Sequence, residues 1–237
     1  MTENAADPVA AAGPPTLSDA DLVARARGCD NDAYAAIVRR HNQRLFRIAR
    51  SILKDEADAE DAVQDAYIQV FRNLDTLRDD ANLGAWLARI TVNEALTRLR
   101  RRRPMVGLEA VDDATETQDA RMTADSLGTT RRDDPEALAA RREIKTAVEH
   151  AIDRLPTHFR MVFVACAVEQ MSIEEAATCL ALPRNTVKTR FHRAKRRLRE
   201  MLGAEIMSAL PESFAFRGKD CDRMTARVLA RLAEEQA

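Results

Sequence analysis

The chain has 237 residues, enough for one large or two small domains, with 46% hydrophobic, 32% charged and only 4% aromatic residues and seven glycines. Few glycines beside many Ala, Leu and Arg predict an all-helical protein. A net charge of −1 would argue against a nucleic-acid partner, but the charge is segregated: residues 1–33 carry −4, 34–103 carry +4, 104–134 carry −5, 135–203 carry +5 and 204–237 carry −1.

Residues 1–15 form an Ala/Pro/Gly tail without the apolar content to order itself. The start lacks a basic segment followed by a long apolar core, and the longest apolar run, 161–168, is too short to span a bilayer, so a cytoplasmic protein without membrane insertion is expected. A first helix is predicted from Ser18. A second, after Asn31, has a core face of Ile37, Val38, Leu45, Ile48, Ala49, Ile52 and Leu53. Asp58 is predicted to cap a third helix, in which Ala59, Ala62, Val63, Ala66, Tyr67, Val70, Phe71 and Leu74 hold helical spacing. That pattern leaves Asp61, Asp65, Ile68 and Arg72 stacked on the outside. Like charges four residues apart destabilise a helix, and an exposed Ile beside them wants cover, which points to a protein-binding stripe; a merely solvated acidic face is the alternative.

After a loop over 75–82, a fourth helix is predicted over 84–103 with Trp86 in the core. Arg89, Asn93 and Thr97 lie at four-residue steps, Arg100 follows seven beyond Asn93, and the helix ends in cations suited both to a helix C-terminus and to phosphates. A capping or core-bonded Asn93 is the structural alternative. Residues 104–134, acidic and poor in large apolar side chains, read as a linker. Helical pattern returns at Pro135, with Leu138, Ile144, Val148, Ile152 and Leu155 as a stripe that Pro156 ends.

Ser172 and Glu175 then form a capping-box pattern before a helix from Ile173, and Pro183 marks the next helix start. In this last helix Val187, Phe191, Ala194, Leu198 and Met201 make one apolar stripe, opposite Arg184, Asn185, Lys188, Thr189, His192 and Arg193. Eight Lys or Arg and no acid lie between Arg184 and Arg199, so base-reading side chains stand beside phosphate-neutralising ones. The pair reads as a helix-turn-helix with its recognition helix second. Beyond residue 204, Phe214 and Phe216 are predicted to share one side of an extended segment, and Asp222 to cap a helix striped by Met224, Val228, Leu229 and Leu232. Such a helix needs a surface, and the expectation is that it folds back on the helix-turn-helix domain with Cys221 buried at the junction, regulating access to the recognition helix. Cys29, Cys166, Cys179 and Cys221 have no metal spacing and read as reduced thiols. The four histidines are scattered, so no catalytic residue, metal site or cofactor is assigned and no enzyme is expected.

The segments S-I-E-E-A-A-T-C-L and L-P-R-N-T-V-K-T-R-F-H-R-A-K resemble the promoter-reading helix-turn-helix of bacterial extracytoplasmic-function (ECF) sigma factors. D-A-E-D-A-V-Q-D-A-Y, W-L-A-R-I-T-V-N and L-P-T-H-F-R are similar to further segments of that family, in the same order. The resemblance implies a dissociable promoter-specificity subunit with two small helical domains, 16–103 and 135–203, joined by the flexible acidic linker 104–134, followed by the extension 204–237. It places core RNA polymerase contacts at Asp58, Asp61, Gln64 and Asp65, to which the stripe adds Ile68 and Arg72. Minus-ten contacts fall on Asn82, Arg89, Asn93, Thr97 and Arg100, with the loop 77–83 where the family captures a flipped base. Minus-thirty-five contacts fall on Arg184, Asn185, Thr186, Lys188, Thr189, Arg190, His192 and Arg193. The family further implies a linker threading the polymerase cleft and control by an anti-sigma factor. Ala181 and Asn185 depart from it, standing where glycine is usual, and Ala181 is sterically strained if the turn requires positive φ. The alternative is a free-standing helix-turn-helix regulator that binds a palindrome as a dimer.

Overall fold

In this computed structural model the described residues are 17–102, 135–202, 216 and 218–236; the tail, the linker and Phe214 lie outside them. Helix α1 (Asp19–Arg27) starts with a capping box between Ser18 and Asp21, and α2 (Asn31–Leu53) is capped by Asp30, whose carboxylate accepts from the Asp32 and Ala33 N–H groups. Helix α3 (Glu56–Arg72) is capped by Asp55 and not by Asp58, which sits in the first turn and gives its N–H to the Asp55 carboxylate. The connection to α4 (Leu83–Arg102) folds as two short 3-10 turns, Leu74–Thr76 and Asp80–Asn82, in place of an open loop. Arg27 pins it to α1 by bonds to Asp80 at 2.8 Å and to the Leu77 carbonyl at 3.1 Å. Helices α2, α3 and α4 pack mutually around Ile37, Leu45, Ile52, Tyr67, Leu83 and Leu87, all fully buried. The Tyr67 hydroxyl needs a partner there and donates to the Val38 carbonyl.

The second helical unit comprises α5 (Pro135–Arg154), α6 (Thr157–Phe163) running into a π-helical turn (Val164–Val168), α7 (Ile173–Leu180) and α8 (Arg184–Leu202). Its core joins Val148, Ile152, Leu155, Phe159, Phe163, Ala194 and Leu198. The two units do not stand apart. Helix α7 packs on α4 and α6 on α2, so that Met161, Val162, Ala165, Met171, Ala176, Cys179 and Leu180 share one apolar cluster with the first unit. Burial pushes the Cys179 thiol up to about 11, which leaves it protonated and unreactive at neutral pH.

Arg160 locks this contact. It is the largest fully buried side chain, and its guanidinium donates across the boundary to the Ser51 and Ile52 carbonyls at the end of α2, and within its own unit to the Asp153 and Leu155 carbonyls and the Thr157 hydroxyl. Carbonyls at a helix C-terminus lack intrahelical donors and carry partial negative charge, so they suit a buried cation. Burial lowers its pKa to about 10, which still keeps it charged. Arg50 adds a bidentate pair to Asp153 at 2.9 and 2.7 Å, and Arg47 bonds Glu169 at 3.1 Å.

Helix α9 (Lys219–Gln236) departs from expectation in two ways. It begins before Asp222, which lies in its first turn, and it packs on α2 and α3 of the first unit, not on the helix-turn-helix. Its stripe of Met224, Val228 and Leu232 is buried there, Leu229 is partly buried, and Phe216 stacks on Phe46 with ring centroids 4.2 Å apart. Cys221 is half-buried beside Asn42, whose amide nitrogen lies 3.3 Å from the sulfur.

Replacing Arg160 by Ala strands several buried carbonyls and is expected to destabilise the protein by roughly 3–5 kcal/mol. A thermal melt checks the loss, and a separate low-temperature transition for residues 135–202 is expected as the two units uncouple.

Candidate interaction surfaces

The stripe on α3 is largely covered. Asp58 is buried and ion-paired with Arg102 of α4, while Asp65 is ion-paired with Arg98 of the same helix. From the other side α9 presents Arg223, Arg227 and Arg231, one helical turn apart. Arg223 bonds Glu60 at 2.6 Å, Arg227 bonds Asp61 at 3.0 Å, and Arg231 bonds Asp65. The Gln64 amide donates to the Arg227 carbonyl at 3.4 Å, and Ile68 is only 2% exposed, in the same apolar cluster as Met224, Val228 and Leu232, whereas Arg72 is exposed. Burial pushes the Asp65 carboxyl up, but bonds to Arg231 and Arg98 outweigh it and hold the group below the usual carboxylate range.

Magnitudes separate the two kinds of contact. Burying side chains such as Met224, Val228 and Leu232 contributes roughly 1.5–3 kcal/mol each, an upper figure because the unfolded chain is not fully extended. A partly exposed pair such as Arg231 with Asp65, whose side chains are 40% and 28% exposed, contributes about 0.2–1 kcal/mol. The apolar stripe therefore holds α9 down and the arginines set its register. The four-residue cation step in 219–231 was the available sequence signal for this contact, and it complements the acid row of α3.

The polar side of α4 carries Arg89, Asn93 and Arg100 exposed and Thr97 half-buried, so Asn93 is not core-bonded. Asn82, also exposed, donates from its amide to the Asp79 carboxylate in the preceding turn. Trp86 is only partly buried, at the cluster shared with the second unit.

In the helix-turn-helix, Ser172 and Glu175 form the capping box, and the α8 stripe buries Val187, Ala194 and Leu198. That leaves Arg184, Asn185, Lys188, Thr189, His192 and Arg193 exposed, with Thr186 and Arg190 half-buried at the edges. Arg184 reaches back to Glu174 of α7 at 2.6 Å, and Lys195 lies over the Phe191 ring at 5.1 Å. The Thr189 hydroxyl bonds the Asn185 carbonyl at 2.9 Å. Helix α7 contacts both α4 and α8, so the two polar sets stand on different helices with α7 between them.

Family models match both units: Sigma-70 region 2 over residues 37–104 and Sigma-70 region 4 over residues 145–198. The ECF RNA polymerase sigma factor SigM of Mycobacterium tuberculosis is 36% identical over 188 residues, covering 78% of this chain and 85% of the relative. The chain belongs to the ECF sigma factors. SigW of Bacillus subtilis is 30% identical over 175 residues, which cover 73% of this sigma factor and 90% of the relative. Among solved structures, that of CnrH in complex with the cytosolic domain of CnrY superposes with a TM-score of 0.53 at 30% identity, covering 79% of this chain and 98% of the other. A third relative by sequence is CnrH of Cupriavidus metallidurans, 32% identical over 197 residues, which cover 81% of this chain and 97% of the relative.

One departure from family pattern has a measurable consequence. Ala181 ends α7 at φ 52°, ψ 44°, and Leu182 returns its N–H to the Ala177 carbonyl in the manner of a Schellman turn. A Cβ in this left-handed conformation is strained, so the sigma factor with Ala181→Gly is expected to be more stable by roughly 1 kcal/mol, read as a raised denaturant midpoint with unchanged slope.

Proposed function

We propose that the acidic face of α3 is where this sigma factor grips core RNA polymerase, while α4 and α8 divide the promoter between them. As a sigma factor it directs the polymerase core to promoters and initiates transcription by binding, and no step of that role calls for a catalytic residue. The observation that carries the division is the outer face of α8: its exposed positions hold arginine, lysine, histidine and amide or hydroxyl groups, with no acid from Arg184 to Arg199. Such a face suits the major groove of the minus-thirty-five duplex, with Lys188, Thr189, His192 and Arg193 toward the bases. Asn82, Arg89, Asn93, Thr97 and Arg100 would hold the melted minus-ten strand, where unstacked bases need pockets and hydrogen-bond partners. The carboxylates of Asp58, Asp61 and Asp65 with the Gln64 amide among them, flanked by Ile68 and Arg72, suit a basic helix of the polymerase through charge-assisted bonds.

The site of action is the cytoplasm, in keeping with the absence of any membrane-length apolar helix among the described residues. Control by an anti-sigma factor belongs to the same proposal, since CnrH was solved with a protein partner bound. A dimeric free-standing regulator accounts for α8 but not for the match to both Sigma-70 regions in one chain.

Reversing the row with Asp61→Arg and Asp65→Arg should cost several kcal/mol of core affinity and abolish co-purification with core polymerase. Retention at wild-type stoichiometry would sink the docking assignment. Arg193→Ala should weaken promoter binding by roughly 1–3 kcal/mol and relax preference at one base position; a uniform loss across sequences would make it a phosphate contact.

A further inference from the structure

The α3 face already carries a helix of the kind it is built to bind. Helix α9 offers three arginines at four-residue steps, aligned with Glu60, Asp61 and Asp65, and an apolar stripe of Met224, Val228 and Leu232 that shares one buried cluster with Ile68. Gln64 is engaged with the α9 backbone as well. We infer that the acidic face of α3 takes a basic amphipathic helix with arginines one turn apart, and that α9 is the chain's own occupant, which must leave before the polymerase can dock. This rests on the docking reading of α3 given above.

Three observations carry it. The contact is a complete interface with an apolar centre and a charged rim, and its buried Met224, Val228 and Leu232 leave α3 no room for a second helix. It is anchored at its N-terminal end by Phe216, which stacks on Phe46 and gives its N–H to Gln43 at 2.7 Å. Thirteen residues join Leu202 to Phe216, so the occupant stays covalently tethered, at an effective concentration on the order of millimolar. An outside helix competes with that concentration, and its apparent affinity falls by the fraction of chains in which α9 is undocked.

The full chain supplies both arms of a test. Asn42→Cys places a thiol one bond short of the amide nitrogen that now lies 3.3 Å from the Cys221 sulfur, so oxidation with oxidised glutathione should form a disulfide that locks α9 down. Arg223→Glu with Arg227→Glu and Arg231→Glu turns the register-setting row against α3 and should release the helix. With titrated core RNA polymerase, the locked chain should bind at least tenfold more weakly than wild type and recover on reduction, and the released chain should bind at least tenfold more tightly. Circular dichroism and thiol titration confirm folding and closure of the bond. A fully oxidised chain that binds as wild type, beside a released chain that binds no tighter, overturns the inference. Asp61→Asn with Asp65→Asn placed in the released chain separates the two readings, since amides remove the carboxylates without re-forming ion pairs with the introduced glutamates. If it abolishes binding while the lock has no effect, docking on α3 stands and occlusion by α9 falls; if it changes nothing, both fall.

Discussion

The acid row of α3 is the constraint around which the first unit is arranged. Asp58, Glu60, Asp61 and Asp65 lie within eight residues of one helix, and their mutual repulsion opposes the helix that their Ala and Val neighbours need for core packing. Arginine answers it from both sides. Arg98 and Arg102 come from the last turns of α4, where cations also favour the helix C-terminus, and Arg223, Arg227 and Arg231 come from α9. The α4 pairs belong to the helix packed permanently against α3, so they compensate the row without closing its outer side. Those of α9 do close it.

The second unit adds a different chemistry to the Arg50–Asp153 and Arg47–Glu169 pairs that attach it. Arg160 uses backbone carbonyls as its partners, and the carbonyls at the end of α2 are available because a helix terminus leaves them unpaired. A contact made this way needs the correct helix end and no particular side chain on the far partner. Around it the apolar residues of α7 and the start of the π-helical turn merge with the first core, so α4 and α8, the helices proposed to divide the promoter, are joined through α7.

Much of this was legible in the residues. Periodicity located α2 to α4 and α8, the Ser172 and Glu175 pair marked the start of α7, and the strain at Ala181 followed from one missing glycine. Where the reading failed, the determinant was not local. Asp55 and Asp58 are both competent caps, and the choice between them depends on where α2 ends and on Arg102, which draws Asp58 into an ion pair. The burial of Arg160 could not be read because its partners across the boundary, main-chain oxygens more than a hundred residues away, carry no sequence signature. The stripe of α9 announced that the helix needed a surface without saying which one; its cation step, matched to the acids of α3, held that information.

The strengths of these contacts explain how one face can be soluble, occupied and still exchangeable. An apolar face with Ile68 at its centre would be an aggregation hazard if left bare, and covering it with a tethered helix removes the hazard without a partner. Because the covering pairs are partly exposed, each is weak and screened by salt, so the hold of α9 comes mainly from a few apolar side chains and from the tether. A competing helix that reproduces the arginine spacing regains the ion pairs that α9 gives up and needs a surplus only in its remaining contacts. A partner that engages more of the sigma factor than this one face can supply that surplus, whereas an isolated basic peptide has to overcome the tether with the single face it offers.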